Sequence, residues 1–155
     1  MFVRYYQPAD IRQIVRLFYR TVHTVNLGDY TLEQVNAWVP AVPSEVNWLA
    51  RYFDRIVFVA DDDGAVAGFA ELEPNGHVYC FYCHHLYQRR GVGRQLYQRL
   101  EQEANSLGLT RLFVEASITA QPFFEQMGFQ ALQENTITRN NVALTNFSME
   151  KYLFS

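Results

Sequence analysis

The segment Gln88-Arg89-Arg90-Gly91-Val92-Gly93-Arg94 stands between a predicted strand and an amphipathic helix. Apolar residues follow one face of that helix as far as Leu107, and Gly108 is well placed to end it. The first turn of a helix leaves backbone N–H groups unpaired, and the helix dipole adds positive potential there. Glycines let an anion approach the backbone closely, and arginines pair with phosphate oxygens. The segment therefore predicts a phosphate or pyrophosphate site at a helix N-terminus.

Two better-known phosphate loops do not match this segment. A Walker loop needs Lys-Ser/Thr after its glycines, and the dinucleotide fingerprint needs a third glycine and a following βαβ order. On Gly91-Val92-Gly93 alone, a helix start with a solvated arginine face is the simpler interpretation. A binding site is favoured because the strand before the loop and the strand at 111–115 are each followed by a helix. Two such strands, when parallel, can splay apart at their carboxyl ends and leave a slot for a ligand.

The whole chain, residues 1–155, is predicted to form one α/β domain with a mixed sheet. A first strand is expected at 3–6, and the residue pattern predicts helices that begin near residues 8, 31 and 44. The other expected elements are strands at 56–60, 65–72 and 77–83, a helix from 91, a strand at 111–115, a helix at 119–127, and two antiparallel strands between 129 and 151.

Composition excludes several classes of protein. Nearly half of the residues are hydrophobic, which excludes a disordered chain, and the net charge of −3 makes a nucleic-acid partner unexpected. We see neither a membrane-length apolar run nor a secretion signal, so we expect a cytoplasmic protein without a membrane partner. Cys80 and Cys83 form a lone CxxC on a predicted strand, where two buried thiols on opposite faces are favoured over a metal or redox site. We therefore expect no metal.

A second motif supports the interpretation of the first one as a ligand-binding site. It reads Ser117-Ile118-Thr119-Ala120-Gln121-Pro122-Phe123-Phe124-Glu125-Gln126-Met127-Gly128-Phe129. It resembles the N-x-x-A and Tyr-Glu-x-x-Gly-Phe pattern of the GNAT superfamily of N-acetyltransferases, whose Q/R-x-x-G-x-G/A pyrophosphate motif is similar to Gln88–Gly93. The order of elements is also similar, and the wording of the second motif resembles a bacterial subgroup of uncharacterised acetyltransferases. The resemblance implies the GNAT acyltransferase fold with splayed central strands, and acetyl-CoA as co-substrate.

The resemblance also implies which residues hold acetyl-CoA. In the family, backbone amides of the first motif hold the pyrophosphate, the preceding strand pairs with the pantetheine arm, and the second motif forms the opposite wall. The amide of Phe81 would polarise the thioester carbonyl, as in an oxyanion hole. Carried over to this chain, the implied cofactor-binding residues are Phe81, Tyr82, Cys83, Gln88, Arg89, Arg90, Gly91, Val92, Gly93, Arg94, Ser117, Ala120, Phe123 and Phe124.

Three residues are candidates for the catalytic proton transfer. Direct attack on a thioester needs a neutral amine, so a base or a water chain must remove a proton. His77 is the first candidate, because it is expected on the strand face of Phe81, where branches of the family carry a glutamate or a histidine. Tyr79 is expected on the same face, and Glu71 on the neighbouring strand is the second candidate for base. An exposed position after a turn is an equally supported interpretation of His77, and Glu71 is also compatible with a solvent-facing position.

The family's proposed general acid is missing from this chain. The tyrosine that would protonate the leaving thiolate falls on Phe124, whose phenyl ring cannot donate a proton. Another donor or water then serves, or protonation by the enzyme is unnecessary, because the thiolate of coenzyme A is a tolerable leaving group. The acceptor is expected to enter over the N-terminal helices. The candidate substrate-binding residues there are His23, Asn26, Tyr30 and Trp38, of which Tyr30 and Trp38 are also compatible with the ordinary core.

Together these features predict an enzyme that moves the acetyl group of acetyl-CoA to a primary amine of a small molecule or amino acid. A homodimer is compatible with this prediction. One alternative is an acetyltransferase for a protein or an aminoacyl-tRNA, although the acidic net charge disfavours the tRNA. The other is a non-catalytic acetyl-CoA sensor or interaction module, which Phe124 favours.

Overall fold

A computed structural model describes residues 1–153 and contains a seven-stranded sheet with helices on both faces. It confirms the mixed α/β fold and the predicted order of elements. The strands are β1 (Phe2–Tyr5), β2 (Ile56–Asp62), β3 (Ala65–Leu72), β4 (His77–Cys83), β5 (Arg111–Ser117), β6 (Gln130–Arg139) and β7 (Val142–Tyr152). The helices are α1 (Ile11–Thr24), α2 (Leu32–Trp38), α3 (Glu45–Arg51), α4 (Val92–Ser106) and α5 (Gln121–Gln126).

The strands lie side by side in the order β1-β2-β3-β4-β5-β7-β6. Neighbouring strands are antiparallel except β4 and β5, which run parallel. Apolar side chains of α4 and α5, such as Leu100 and Phe124, pack on one face of the sheet. Those of α1 and α3, such as Ile14 and Trp48, pack on the other. Within residues 1–153, we find no helix long and apolar enough to cross a membrane.

Helix α2 and the segment just before it place two predicted substrate-binding residues, Trp38 and Tyr30, beside the sheet. It begins at Leu32 because Thr31 caps it: the Gln34 amide donates to Thr31 Oγ1 at 3.1 Å, and the Thr31 amide donates to Gln34 Oε1 at 2.9 Å. The Gln34 side chain also donates to the Ala143 carbonyl at 3.0 Å, which ties α2 to β7. As a result, Tyr30 and Trp38 pack edge to face with ring centroids 5.4 Å apart.

The centre of the sheet is open. In the part of the chain that the structure describes, β4 and β5 share only two register pairs, His77 with Phe113 and Val78 with Val114. Beyond Val78 the two strands separate toward their carboxyl ends, as the sequence predicts for splayed central strands. The backbone edge of β4 that faces this gap is therefore available to a ligand.

A β-bulge at Tyr79 begins where the strands separate. Leu72 pairs with Val78 and Glu71 pairs with Cys80, so Tyr79 is the extra residue on β4. The bulge reverses the alternation of side chains: Val78 packs on the α4 face and Cys80 packs on the α1 face. The expectation that His77 and Phe81 share a strand face is therefore wrong, because it assumes an unbroken alternation.

Candidate active site

The predicted phosphate site is the N-terminus of α4. Gly91 caps the helix in the left-handed conformation, with φ of +81°, and the first helical hydrogen bond runs from the Gln95 amide to the Gly91 carbonyl at 3.1 Å. The amide groups of Val92 to Arg94 therefore precede the ladder of helical bonds and are free to bind an anion. Arg89 also has positive φ, 60°, which is a strained conformation for a residue with a side chain.

A cavity of about 450 Å³ runs from this helix end into the gap between β4 and β5. We call it the α4-side cavity; its size suits a small-molecule ligand. Of the predicted cofactor residues, Arg90 lies apart, with its guanidinium 4.7 Å from the centre of the Tyr87 ring. The others all line the cavity: Phe81, Tyr82, Cys83, Gln88, Arg89, Gly91, Val92, Gly93, Arg94, Ser117, Ala120, Phe123 and Phe124.

The amide of Phe81 points into the gap. The Cys83 carbonyl accepts hydrogen bonds from outside the sheet, from Thr21 Oγ1 at 3.1 Å and from Gln88 Nε2 at 2.9 Å. The peptide groups of Phe81 point the same way, because residues two apart on a strand direct their N–H and C=O groups to the same side. Phe81 therefore offers a hydrogen-bond donor at the place where a ligand in the cavity would pass.

Gly93 and Thr119 shape the walls of the α4-side cavity. A Cβ atom at Gly93 would lie 3.0 Å from Cε1 of Phe123, so a side chain there would collide with the opposite wall. Thr119 Oγ1 is buried and has no hydrogen-bond partner among the described residues. Such a group is costly unless a ligand or water pairs with it. Sequence reasoning missed Thr119 as a site residue, although it lies inside the second motif.

A second cavity, of about 500 Å³, opens on the opposite face of the sheet. We call it the aromatic cavity, because Phe18, Tyr30, Trp38, Trp48 and Tyr82 line much of it. Its charged lining residues are Arg51, His77, Glu115 and Arg139. The two cavities share the lining residues Tyr79, Cys80, Tyr82, Glu115 and Ser117. They therefore meet through the gap between β4 and β5, so molecules that enter from opposite faces can come into contact there.

His77 lies beside this junction, held between two carboxylates. Its Nδ1 is 2.6 Å from Glu73 Oε1, and its Nε2 is 3.0 Å from Glu115 Oε2. Burial disfavours the charged ring, but the hydrogen bonds to Glu115 and Glu73 outweigh that effect and raise the pKa of His77. The charged form is therefore favoured, and a charged imidazole has no free nitrogen to accept a proton. As a base, His77 would act only in the fraction of molecules where the ring is neutral.

Glu71 does not fit the role of base. Its side chain is fully buried and accepts hydrogen bonds from Arg51 at 2.6 Å, from Tyr52 at 2.8 Å and from Arg55 at 2.9 Å. A carboxylate paired in this way is an anchor between α3, the turn after it and β3. The expectation of a solvent-facing Glu71 is wrong as well. The side chain faces α3 and the turn after it, whose Arg51, Tyr52 and Arg55 cover its carboxylate.

Tyr79 and the predicted acceptor residues are distributed among several places. Tyr79 lies at the junction and lines both cavities, and Tyr30 and Trp38 line the aromatic cavity. Asn26 is buried on the α4-side cavity, with its Nδ2 3.4 Å from Ser117 Oγ. His23 is stacked on the ring of Tyr19 and bonds to the Val39 carbonyl at 2.6 Å, which is a structural position.

Phe124 is buried in a cluster of aromatic rings. Its ring centroid lies 5.6 Å from that of Phe81, 5.4 Å from that of Phe123 and 5.1 Å from that of Phe129. The side chain also lines the α4-side cavity. At this position the chain therefore offers an apolar surface instead of a proton donor.

Known proteins resemble this chain in sequence and in structure over most of its length. Residues 26–151 match the family model described as acetyltransferase (GNAT) domain. The uncharacterised N-acetyltransferase YafP of Escherichia coli is 31% identical over 95% of this chain and 93% of its own length. A crystal structure of a GCN5-related N-acetyltransferase from Rhodopseudomonas palustris has a TM-score of 0.91 and 34% identity, over 97% of this chain and 94% of that one. YncA of Salmonella typhimurium, solved with acetyl-CoA, has a TM-score of 0.77 and 21% identity, over 100% and 95% of the two chains.

Proposed function

The chain belongs to the GNAT acetyltransferase family, and we propose that it transfers the acetyl group of acetyl-CoA to a primary amine of a small molecule or amino acid. The single observation that carries the proposal is the meeting of the two cavities in the gap between β4 and β5. One cavity ends at a helix N-terminus suited to a pyrophosphate, and the other is a small pocket lined by aromatic rings. A donor and an amine bound on opposite faces would be held within reach of each other.

The α4-side cavity is the proposed site of acetyl-CoA. The amides of Val92 to Arg94 receive the pyrophosphate, and Arg89 and Arg94 add positive charge beside it. The pantetheine arm lies along the open edge of β4, between that strand and the wall formed by Ala120 and Phe123. Its length then brings the thioester to the junction, close to the amide of Phe81.

The proposed reaction is direct transfer. The lone pair of a neutral amine attacks the thioester carbonyl carbon from the side of the aromatic cavity, the carbon–sulfur bond breaks, and coenzyme A leaves as thiolate. The amide of Phe81 donates a hydrogen bond to the carbonyl oxygen as negative charge develops on it. Glu115 and His77 lie beside the amine and are the groups that receive its proton, directly or through water.

Calorimetry with acetyl-CoA, followed by free-thiol release with a panel of amines, tests the proposal. We expect binding in the micromolar range and thiol release with at least one small amine. Arg94→Gln should weaken binding, because it removes a charge that faces the cavity. The matched control is Arg12→Gln, since that arginine is largely exposed, in a 3.5 Å pair with Glu45. A wild-type protein that does not bind acetyl-CoA at high micromolar concentration would contradict the proposal.

Phe124 favours a second candidate, a binding module that holds acetyl-CoA without transferring its acetyl group. Its phenyl ring provides no proton for the leaving thiolate. The same two measurements separate the candidates. Tight binding without thiol release for any amine would favour the module. Thiol release with an amine would instead show that the thiolate receives its proton from another donor or from water, or leaves without one.

A further inference from the structure

We infer that the acceptor is a zwitterionic amino acid with an apolar, preferably aromatic, side chain, whose carboxylate binds at Arg51 and whose amine lies at Glu115. This inference rests on the proposed function and goes beyond it by naming the substrate class. It comes from the uneven charge of the aromatic cavity, which has an excess of positive charge at one wall and of negative charge at the junction with the α4-side cavity.

The positive wall is a cluster with two guanidinium groups and one carboxylate. Arg51 and Arg55 both pair with Glu71, which leaves one positive charge without a counterion within the cluster. Cys80 does not supply it, because burial, foremost, and nearby Glu71 raise the pKa of its thiol and keep it neutral. Of the two cations, Arg51 is the one that lines the aromatic cavity.

Arg51 is held in place and retains unused donors. Its guanidinium carbon lies 3.7 Å from the centre of the Trp48 ring and 5.0 Å from that of Tyr79. The bonds to Glu71 and to the Cys80 sulfur both start from Nη2, so Nη1 keeps its donors within residues 1–153, whereas Nε has no partner but is itself buried. A rigid guanidinium with spare N–H groups at a cavity wall is suited to a carboxylate.

Arg139 adds a second positive group to the same cavity. It stands at the end of β6, beside the turn to β7, and lines the aromatic cavity. Its Nη1 donates to the neighbouring Thr138 carbonyl at 3.2 Å, so the partner of the guanidinium there is a neutral backbone group. With Arg51, it makes this part of the cavity unfavourable for polyamines and other acceptors that carry several positive charges.

The junction carries the opposite charge. Glu73 and Glu115 share one imidazole ring, that of His77, so two carboxylates face at most one positive charge. Glu115 is also a shared lining residue of the two cavities, at the place where the attacking amine must lie. An ammonium group is therefore attracted to the point where it must lose its proton and react.

Aromatic rings line much of the rest of the aromatic cavity. Tyr30, Trp38, Trp48 and Tyr82 present apolar faces to a cavity of about 500 Å³, which is large enough for one amino acid. Burial of an apolar side chain against these rings stabilises the complex, whereas a charged side chain would lose its hydration without a counterion. These residues therefore favour an aromatic or branched apolar side chain on the acceptor.

Matched pairs of acceptors that differ only by the carboxylate test this inference. The pairs are phenylalanine with phenethylamine, tryptophan with tryptamine, and leucine with isoamylamine; spermidine serves as the cationic comparison. The measurement is kcat/KM for thiol release, expressed per neutral amine so that the different basicities of the amines cancel. We expect kcat/KM of each amino acid to exceed that of its decarboxylated partner by about tenfold or more, because the partner lacks the carboxylate that hydrogen-bonds to the arginine.

Two variants locate the carboxylate site. Arg51→Lys keeps a charge beside Glu71 but loses the planar fork, and Arg139→Gln removes a side chain that makes no buried contact. Both should raise KM for the amino acids without raising KM for the decarboxylated amines, and both should leave the acetyl-CoA Kd unchanged. Arg12→Gln is the control for both, and the acetyl-CoA titration shows that each variant is folded.

The possible outcomes separate this inference from the proposed function. Equal or faster turnover of the decarboxylated amines, or of spermidine, would overturn the inference and leave the proposed function standing. Unchanged preference for the carboxylate in both arginine variants would also overturn it. Binding of acetyl-CoA without turnover of any acceptor would overturn both, and failure to bind acetyl-CoA would overturn the proposed function.

Discussion

The protonation state of His77 decides which groups at the junction can accept a proton. The ring nitrogens contact Glu73 at 2.6 Å and Glu115 at 3.0 Å, and these bonds favour the charged ring. The contacts of this residue, predicted from the sequence as a base, thus favour the form that has already accepted a proton. The same contacts fix the orientation of Glu115, which makes His77 a positioning residue as well.

The dependence of activity on pH tests His77 as the base. Its raised pKa means that the neutral ring becomes abundant only above the ordinary histidine pKa of about 6.5. We therefore expect kcat to rise with pH along a limb that lies above that value, and His77→Gln to remove the limb. An identical pH profile in the variant would assign the titration to another group, such as the amine itself.

Stability should report the same ionisation independently of catalysis. A group whose pKa is raised by folding stabilises the protein fully below its unfolded pKa, and the contribution disappears as pH rises through the folded value. Wild type should therefore exceed His77→Gln in free energy of unfolding at pH 5 to 6, and the difference should shrink above pH 7. Urea unfolding at several pH values measures it; a difference that grows with pH would contradict the assigned direction.

Thr119 provides a sharper test of the α4-side cavity. Its hydroxyl is buried without a partner in the described part of the chain, and Thr119→Val replaces it with a methyl group of similar shape. Removing an unsatisfied buried group should leave the free energy of unfolding equal or slightly higher. The loss of a hydrogen bond to acetyl-CoA should weaken binding by about two- to tenfold. Thr136→Val, on exposed β6, is the control, and unchanged affinity at Thr119→Val would mean that the hydroxyl pairs with water instead.

The loop before α4 and the interrupted strand β4 form most of the proposed site. The loop uses its two glycines differently. Gly91 adopts φ of +81° with open space around it. At Gly93, an added Cβ atom would lie 3.0 Å from the Phe123 ring. One glycine is needed for its backbone conformation and the other for the space between the two walls of the cavity.

The two alanine variants should therefore have different effects. Gly91→Ala should lower the free energy of unfolding by about 1 kcal/mol, because the left-handed conformation is strained for alanine. Gly93→Ala should leave stability nearly unchanged and weaken acetyl-CoA binding by about tenfold, because its methyl group enters the slot. Gly93→Trp should abolish binding while the fold survives. Thermal unfolding and calorimetry measure both quantities; equal affinity in wild type and Gly93→Trp would place the pyrophosphate elsewhere.

The elements themselves were predictable because their signals are local. Periodic apolar positions, caps and turn residues predict each helix and strand, and the glycines of the α4 loop predict the anion site. The bulge at Tyr79 was not predictable, since one extra residue in a strand leaves no mark in the sequence. It reverses the face of His77 relative to Phe81, and the arginines around Glu71 come from α3 and the turn after it, so neither position could be read from strand alternation alone. Thr119 was missed because its lack of a partner depends on the folded loop around it.

The two faces of the sheet have separate proposed roles. The α4 face contains the proposed acetyl-CoA site, and the α1 face contains the aromatic cavity and the cluster around Glu71. This division predicts that disturbances on one face affect stability or acceptor binding while the other face keeps its affinity. Sites that share no partners generally behave additively.

Glu71→Gln tests this separation. The substitution leaves the partly buried guanidinium groups of Arg51 and Arg55 without their carboxylate, which should lower the free energy of unfolding by about 3 kcal/mol. The acetyl-CoA Kd of the folded protein should stay the same. Glu45→Gln, which removes an exposed pair 3.5 Å long, should change stability by less than about 1 kcal/mol. Equal effects of the two substitutions would contradict the role of Glu71 as an internal anchor.

The gap between β4 and β5 has a consequence for how the protein responds to its surroundings. The two parts of the sheet, β1–β4 and β5–β7, are joined by two register pairs, His77 with Phe113 and Val78 with Val114, within residues 1–153. A pantetheine arm in the gap would serve as a temporary strand between them. Ligand at one hundred times its Kd adds about 2.7 kcal/mol to the free energy of unfolding. On the proposed function, the lifetime of the folded chain in a cell would then rise and fall with the supply of acetyl-CoA.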